Sequence, residues 1–124
     1  MKDITKINKT IFEKIKQINE YSQEFWSVRH LAKALDYDDL RNFLNVVEKA
    51  KESCKNSGFD IADHFVDITE MIETGKGATR EFPSIALSRY ACYLIVQNAD
   101  PSKEIVALGQ TYFAYQTRKQ EIQE

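Results

Sequence analysis

A chain of 124 residues with 43% hydrophobic content can bury a modest core without metals or disulfides, so a single domain over 1–124 is expected. The net charge of -2 means that any attraction to nucleic acid must come from a local patch, because the whole-molecule field does not favour polyanions. The longest apolar run, "YACYLIV", is too short to span a bilayer, the N-terminus alternates Lys and Ile where a secretion signal needs an uncharged core, and Cys54 and Cys92 are too few for a disulfide scaffold; a cytoplasmic protein with packed, reduced thiols and no membrane partner is expected.

Ile4, Ile7, Ile11, Ile15 and Ile18 recur at helical spacing among lysines, which predicts an amphipathic helix from residue 3 to about 20. "EFWSV" is short, aromatic and β-prone, and Ser27 is placed to cap a following helix, "VRHLAKAL", whose Val28, Leu31, Ala32 and Leu35 share a face. "DYD" breaks that helix. Asp38 or Asp39 can cap the next one, where Leu40, Phe43, Leu44, Val47 and Ala50 mark a buried stripe and Gly58 supplies the stop. "HFVDITEMI" suits a strand entered through a helical turn, and "TREFPSIAL" is a second extended run containing Pro83. The loop "ETGKGA" between them predicts a hairpin, with glycine supplying positive φ. Ser88 can cap "RYACYLIVQNA", apolar on nearly every side and hence a buried central helix. Asp100 and Pro101 are expected to open the last helix, with Ile105, Leu108, Tyr112 and Tyr115 on one face. That helix meets no stop signal before Glu124, so the chain is expected to be the N-terminal portion of a longer protein.

Chemistry enters at two places. "LAKALDYDDLRNFLNVV" has the rhythm of a helix-turn-helix, in which Arg41, Asn42, Asn45 and Lys49 fall on or near the outward face of the second helix. Arg suits guanine edges and Asn adenine, at about 1–3 kcal/mol of base discrimination per bidentate contact. Asp36 stands where such motifs commonly carry a turn glycine, and Asp38 and Asp39 put negative charge where phosphates would approach, so a helical hairpin with a solvated polar face is the competing reading. The run "IETGKGATREF" is not a phosphate-binding P-loop, because no helix follows its glycines. A hairpin behind a helix-turn-helix is the layout of a winged module, with Lys76 and Arg80 reaching backbone phosphates; an exposed turn with solubilising charges is the alternative. His30, His64, Cys54 and Cys92 lack the paired spacings of a zinc site, and neither a nucleophile elbow nor a dinucleotide fingerprint is present, so no enzyme, no metal and no cofactor are expected. Tyr112, Phe113 and Tyr115 on the terminal helix are core residues first and a dimer or partner interface second.

The stretches "FWSVRHLAKALDYDDLRNFLNVVEKAKESCKNSG", "DHFVDITEMIETGKGATREF" and "LSRYACYLIVQNADPSKEIVALGQTYFAYQTRKQE" together resemble the DNA-damage-inducible protein D family. The blocks "LSRYACYLIVQNADPSK" and "ALGQTYFAYQTRKQE" carry most of the likeness. That family is similar in turn to the Bro N-terminal domain of phage antirepressors. The resemblance implies a bacterial cytoplasmic protein tied to the SOS response, longer than this chain and without assigned catalysis. It supplies no functional residues to carry over, and Asp36 departs from it where relatives often have glycine.

The expected fold is therefore α+β, mainly helical, with a helix-turn-helix-like core and a small antiparallel sheet made from "EFW" and the hairpin. The expected function is a nucleic-acid-binding regulatory module, with Arg41, Asn42, Asn45 and Lys49 at a groove, Lys76 and Arg80 on phosphates, and Arg29 or Lys33 in support. The rival is a protein-interaction module acting on DNA repair or recombination proteins through the aromatic terminal helix, without touching DNA; a homodimer is compatible with either.

Overall fold

The structure is a computed structural model that describes residues 11–123. The first helix, α1, covers 11–15 of the described residues and is followed by β1 (Gln17–Ile18), β2 (Glu24–Ser27), α2 (Val28–Ala34), α3 (Leu40–Asn56), α4 (Ile61–His64), β3 (Phe65–Gly75), β4 (Ala78–Leu87), α5 (Arg89–Asn98) and α6 (Glu104–Gln123). The four strands among the described residues form an antiparallel sheet in the order β1-β2-β4-β3. The chain is α+β.

The helix caps fall where the side chains dictate. Ser27 accepts the amides of Arg29 and His30 at the start of α2, Asp39 accepts that of Arg41 at the start of α3, and Ser88 accepts that of Ala91 at the start of α5. Past Ser57, the cap of α3, Gly58 takes φ +88, the left-handed turn at which glycine carries no steric cost. The core gathers Val28, Leu31 and Leu35 from the α2 region, Phe43, Val47, Ala50 and Cys54 from α3, Ala91, Cys92, Ile95 and Val96 from α5, and Val106 from α6. Trp26 is 1% exposed and donates its indole N–H to the Phe12 carbonyl at 3.0 Å, which ties α1 to the sheet.

Two expectations need correction. The first helix does not run to residue 20: it ends by residue 15, and Gln17–Ile18 pair with β2 instead, leaving Ile18 58% exposed. The cause is Asn19, whose side-chain oxygen accepts the amides of Tyr21 and Gln23 and closes a tight turn that competes with helix. Ser22, at φ +60, completes the reversal. The last helix starts at Glu104 rather than Pro101, because the Asp100 carboxylate accepts the Ser102 amide and holds a separate turn. Its buried face is Val106, Gly109 and Tyr112, whereas Tyr115 is 53% exposed.

The β3–β4 hairpin turns through Lys76 and Gly77, both at positive φ (49 and 77), the combination that matches a two-residue turn to the twist of its strands. Its register pairs even residues with even and odd with odd, from Phe65↔Leu87 to Glu73↔Thr79. At the root, the odd face joins Phe65 and Leu87 to Trp26 and the core beneath α5. Pro83 fits a strand with neighbours on both sides because β2 pairs β4 at Ala86 and Leu87, so among the described residues no strand occupies the second edge of β4 at residue 83. The Pro83 carbonyl points to that edge and accepts from the Arg29 guanidinium at 3.1 and 2.9 Å.

Candidate functional site

The hairpin is locked to the start of α2 at its root. Glu70 accepts hydrogen bonds from the hydroxyls of both Ser27 and Ser84 through one carboxylate oxygen. Ser27 is thereby oriented with its lone pairs toward the Arg29 and His30 amides, so one buried hydroxyl both caps α2 and holds β3. Arg29 adds its fork on Pro83 from the other side. A two-stranded ribbon on its own would be marginal, and these contacts set the direction in which it leaves the body.

On the even face beyond this lock, the Arg29 guanidinium lies 5.3 Å from the Phe82 ring centre and that of Arg80 lies 5.8 Å from it. Both cations thus sit against one aromatic ring, and Lys76 lies at the turn of the same hairpin, four residues before Arg80. Lys33, one helical turn beyond Arg29, is exposed on α2. Among the described residues no ion pair engages Lys76 or Arg80. The odd face of the same ribbon carries Asp67, Glu73 and Glu81, so the two faces of one hairpin differ in sign.

The candidates on α3 have different surroundings. Asn42, Asn45 and Lys49 are exposed and line a 660 Å3 groove between α3 and the link from α5 to α6, together with Asp36, Asp38, Asp39 and Asp100. Four carboxylates face Lys49 and Lys103 there, a local excess of negative charge. Arg41 is exposed on the first turn of α3, outside that lining. The turn before α3 is itself held firmly. Asp36 adopts φ +65, its carbonyl accepts from Lys103 Nζ at 3.0 Å, the same ammonium sits 4.9 Å from the Tyr37 ring centre, and the Tyr37 hydroxyl accepts the Asp100 amide at 2.9 Å. Hydrogen bonding from Ser102, aided by Lys103, holds the Asp100 carboxyl below its ordinary pKa.

The candidate residues therefore separate into two groups. Lys76 and Arg80 belong to a cationic and aromatic row, whereas Asn42, Asn45 and Lys49 line an acidic groove. Residues 14–114 match the BRO family, N-terminal domain. The chain belongs to that family. This BRO N-terminal domain is also similar to the DNA damage-inducible protein D of Escherichia coli (strain K12), at 54% identity over 111 residues that cover 90% of this chain and 40% of that protein. The chain thus spans well under half the length of the curated relative it matches. No solved structure matches it.

The remaining candidates of this BRO domain are spread through its interior and surface. Tyr112 is 8% exposed and Phe113 half-buried, and both rings pack on Phe12, with Phe113 also edge-on to Tyr93 at 5.4 Å. Of the three terminal-helix aromatics, Tyr115 is the exposed one. His30 is exposed on α2, and His64 bonds through Nδ1 to the Ser88 hydroxyl at 2.7 Å. Cys54 and Cys92 are free and buried, and burial pushes both thiols up, away from nucleophilic thiolate. No helix among the described residues is long and apolar enough to cross a membrane.

Sequence reasoning placed Arg29 only in support of the hairpin cations and singled out neither Phe82 nor Glu70. The signal for Phe82 is its place two residues from Arg80, on the same face of a strand. Nothing local reports that Arg29, far away in sequence, reaches the same ring.

Proposed function

We propose that this domain is a nucleic-acid-binding regulatory module of the DNA damage response. The observation that carries the reading is the row Arg29, Phe82, Arg80 and Lys76, in which guanidinium groups sit against an aromatic ring on a ribbon projecting from the body. Unpaired cations on a protruding hairpin suit the sequence-independent role of contacting phosphates, and the ring offers a stacking or sugar-packing surface beside them. The family membership and the likeness to a protein named for DNA damage support the regulatory setting. In this reading Arg80 and Lys76 neutralise phosphates, and Arg29 holds the Phe82 ring while keeping its fork on Pro83. The α2–α3 pair acts as a helix-turn-helix only through Arg41 and the outer edge of α3, because the aspartates beside Asn42 and Asn45 repel a backbone that enters their groove.

Binding of fluorescent duplex and single-stranded oligonucleotides, followed by anisotropy across a salt series, tests the proposal. Affinity should fall steeply as salt rises, and Lys76→Glu with Arg80→Glu should weaken binding to all sequences alike and lower the logarithmic salt slope by about two. Absence of binding at low salt, or binding untouched by the double reversal, would sink the reading.

A further inference from the structure

β3 is the outer strand of the sheet, 11 residues long, and among the described residues its far side meets no other strand. Which backbone groups that side offers follows from the register. The Pro83 carbonyl points away from β3 toward Arg29, and the Ser88 amide points toward β3, where it donates to the His64 carbonyl at 3.1 Å. Odd residues of β4 therefore direct their backbone groups away from β3, and even residues direct theirs toward it. Across the register, the ladder with β4 uses Val66, Ile68, Glu70 and Ile72, while the N–H and C=O groups of Asp67, Thr69, Met71 and Glu73 face outward. These four residues are exposed, with Met71 at 61%, and no backbone hydrogen bond from them to another element is found among the described residues.

The chemistry along this edge has one sign. β3 contains Asp67, Glu70 and Glu73 and no cation. Glu70 is engaged by the two serines, which leaves Asp67 and Glu73 as the charges that flank Thr69 and Met71 on the odd face. On the even face, Val66, 47% exposed, and Ile68 form part of the floor of a 520 Å3 groove that also includes Phe25 and Tyr21. A second copy pairing antiparallel about Glu70, the register that engages all four outward residues, would set Asp67 directly opposite Glu73 twice, a destabilising arrangement.

We infer that the open edge of β3 accepts an extended, basic segment of a partner protein as an added antiparallel strand. Main-chain hydrogen bonds to Asp67, Thr69, Met71 and Glu73 would supply the pairing, and side chains would supply the choice. The segment carries cations opposite Asp67 and Glu73 on one face and apolar residues opposite Val66, Ile68 and Ile72 on the other, which in antiparallel order is the pattern Lys-Val-Leu-Ser-Thr-Val-Lys-Val. The pairing groups lie on the outer edge of β3, whereas Arg80 and Phe82 belong to β4, so the proposal stands whether or not the domain binds nucleic acid.

The probe is a fluorescent peptide carrying that pattern, compared with one in which both lysines are glutamate. The lysine peptide should bind and slow amide exchange at Thr69 and Met71, and the glutamate peptide should not. Asp67→Lys with Glu73→Lys should reverse the preference by about tenfold or more in each direction. Thr69→Pro removes one outward N–H and leaves the β3–β4 ladder intact, so it should abolish binding in a protein whose thermal midpoint and Phe82 environment are retained. Failure of both peptides to bind would show an edge whose carboxylates only repel strands and would overturn the proposal. Equal binding by both peptides, or self-association in sedimentation that Thr69→Pro abolishes, would overturn it as well, the latter by naming a second copy as the occupant.

Discussion

Asp36 holds φ +65 between α2 and α3, a conformation that costs an L-residue on the order of 1 kcal/mol, although a short polar side chain lessens the strain. The position is exposed, and its anchorage to Lys103 runs through the carbonyl, which any residue retains. Asp36→Gly should therefore raise stability by up to about 1 kcal/mol, read from the urea midpoint, with the helices on either side unchanged. A loss of stability would show that the Asp36 carboxylate matters more than the backbone strain. Asp100 offers a test in pH. Its folded carboxyl lies below its ordinary value because Ser102 donates to it, so the stabilisation is present above the unfolded pKa and is lost as pH falls through the folded one. The stability difference between wild type and Asp100→Asn should be visible at neutral pH and shrink below about pH 4, measured by urea unfolding at several pH values.

At the scale of elements, the junction of α2 with the hairpin rests on Ser27. Removing its hydroxyl deprives α2 of its cap and Glu70 of one of two donors at the same time. Ser27→Ala should cost about 2 kcal/mol, near the upper end for a cap. It should also speed amide exchange between Glu70 and Ser84, which loss of a cap alone would leave unchanged. The elements themselves were largely legible: serine and aspartate before apolar runs, Gly58 after one, and a glycine turn between β-prone stretches all act within a few residues. The first helix misled because Ile18 keeps the helical period, whereas Asn19 closes a turn beside it and recruits Gln17–Ile18 to β2. The face of α6 was misjudged for a related reason. Tyr115 shares the apolar spacing, but the inward side is decided by contact with α5, including Gln110 Nε2 donating to the Val96 carbonyl at 3.1 Å.

At the scale of the whole molecule, a net charge of -2 hides a sorted surface: a cationic and aromatic row on the even face of the hairpin, carboxylates on its odd face and outer edge, and an acidic groove beside α3. The steep salt dependence that the proposed nucleic-acid binding predicts belongs to this scale, because counterion release would follow the local cations more than the molecular sum. The choice between groove readers on α3 and phosphate contacts on the hairpin was open in the sequence, since Asn42, Asn45 and Lys49 look well placed on a helix face in isolation. The aspartates that share their groove come from the α2–α3 turn and from Asp100, across the fold.

What the amino acids determined alone were the caps, the amphipathic stripes, the turn at Lys76–Gly77 and the balance of helix over strand, because each depends on neighbours a few residues apart. What the tertiary structure alone decided was the meeting of Arg29 with Phe82 and Pro83, and the choice of which backbone groups of β3 face outward. Those outcomes depend on strand register and on a contact 54 residues apart in the chain, and a one-residue change in register would exchange the two faces of the hairpin.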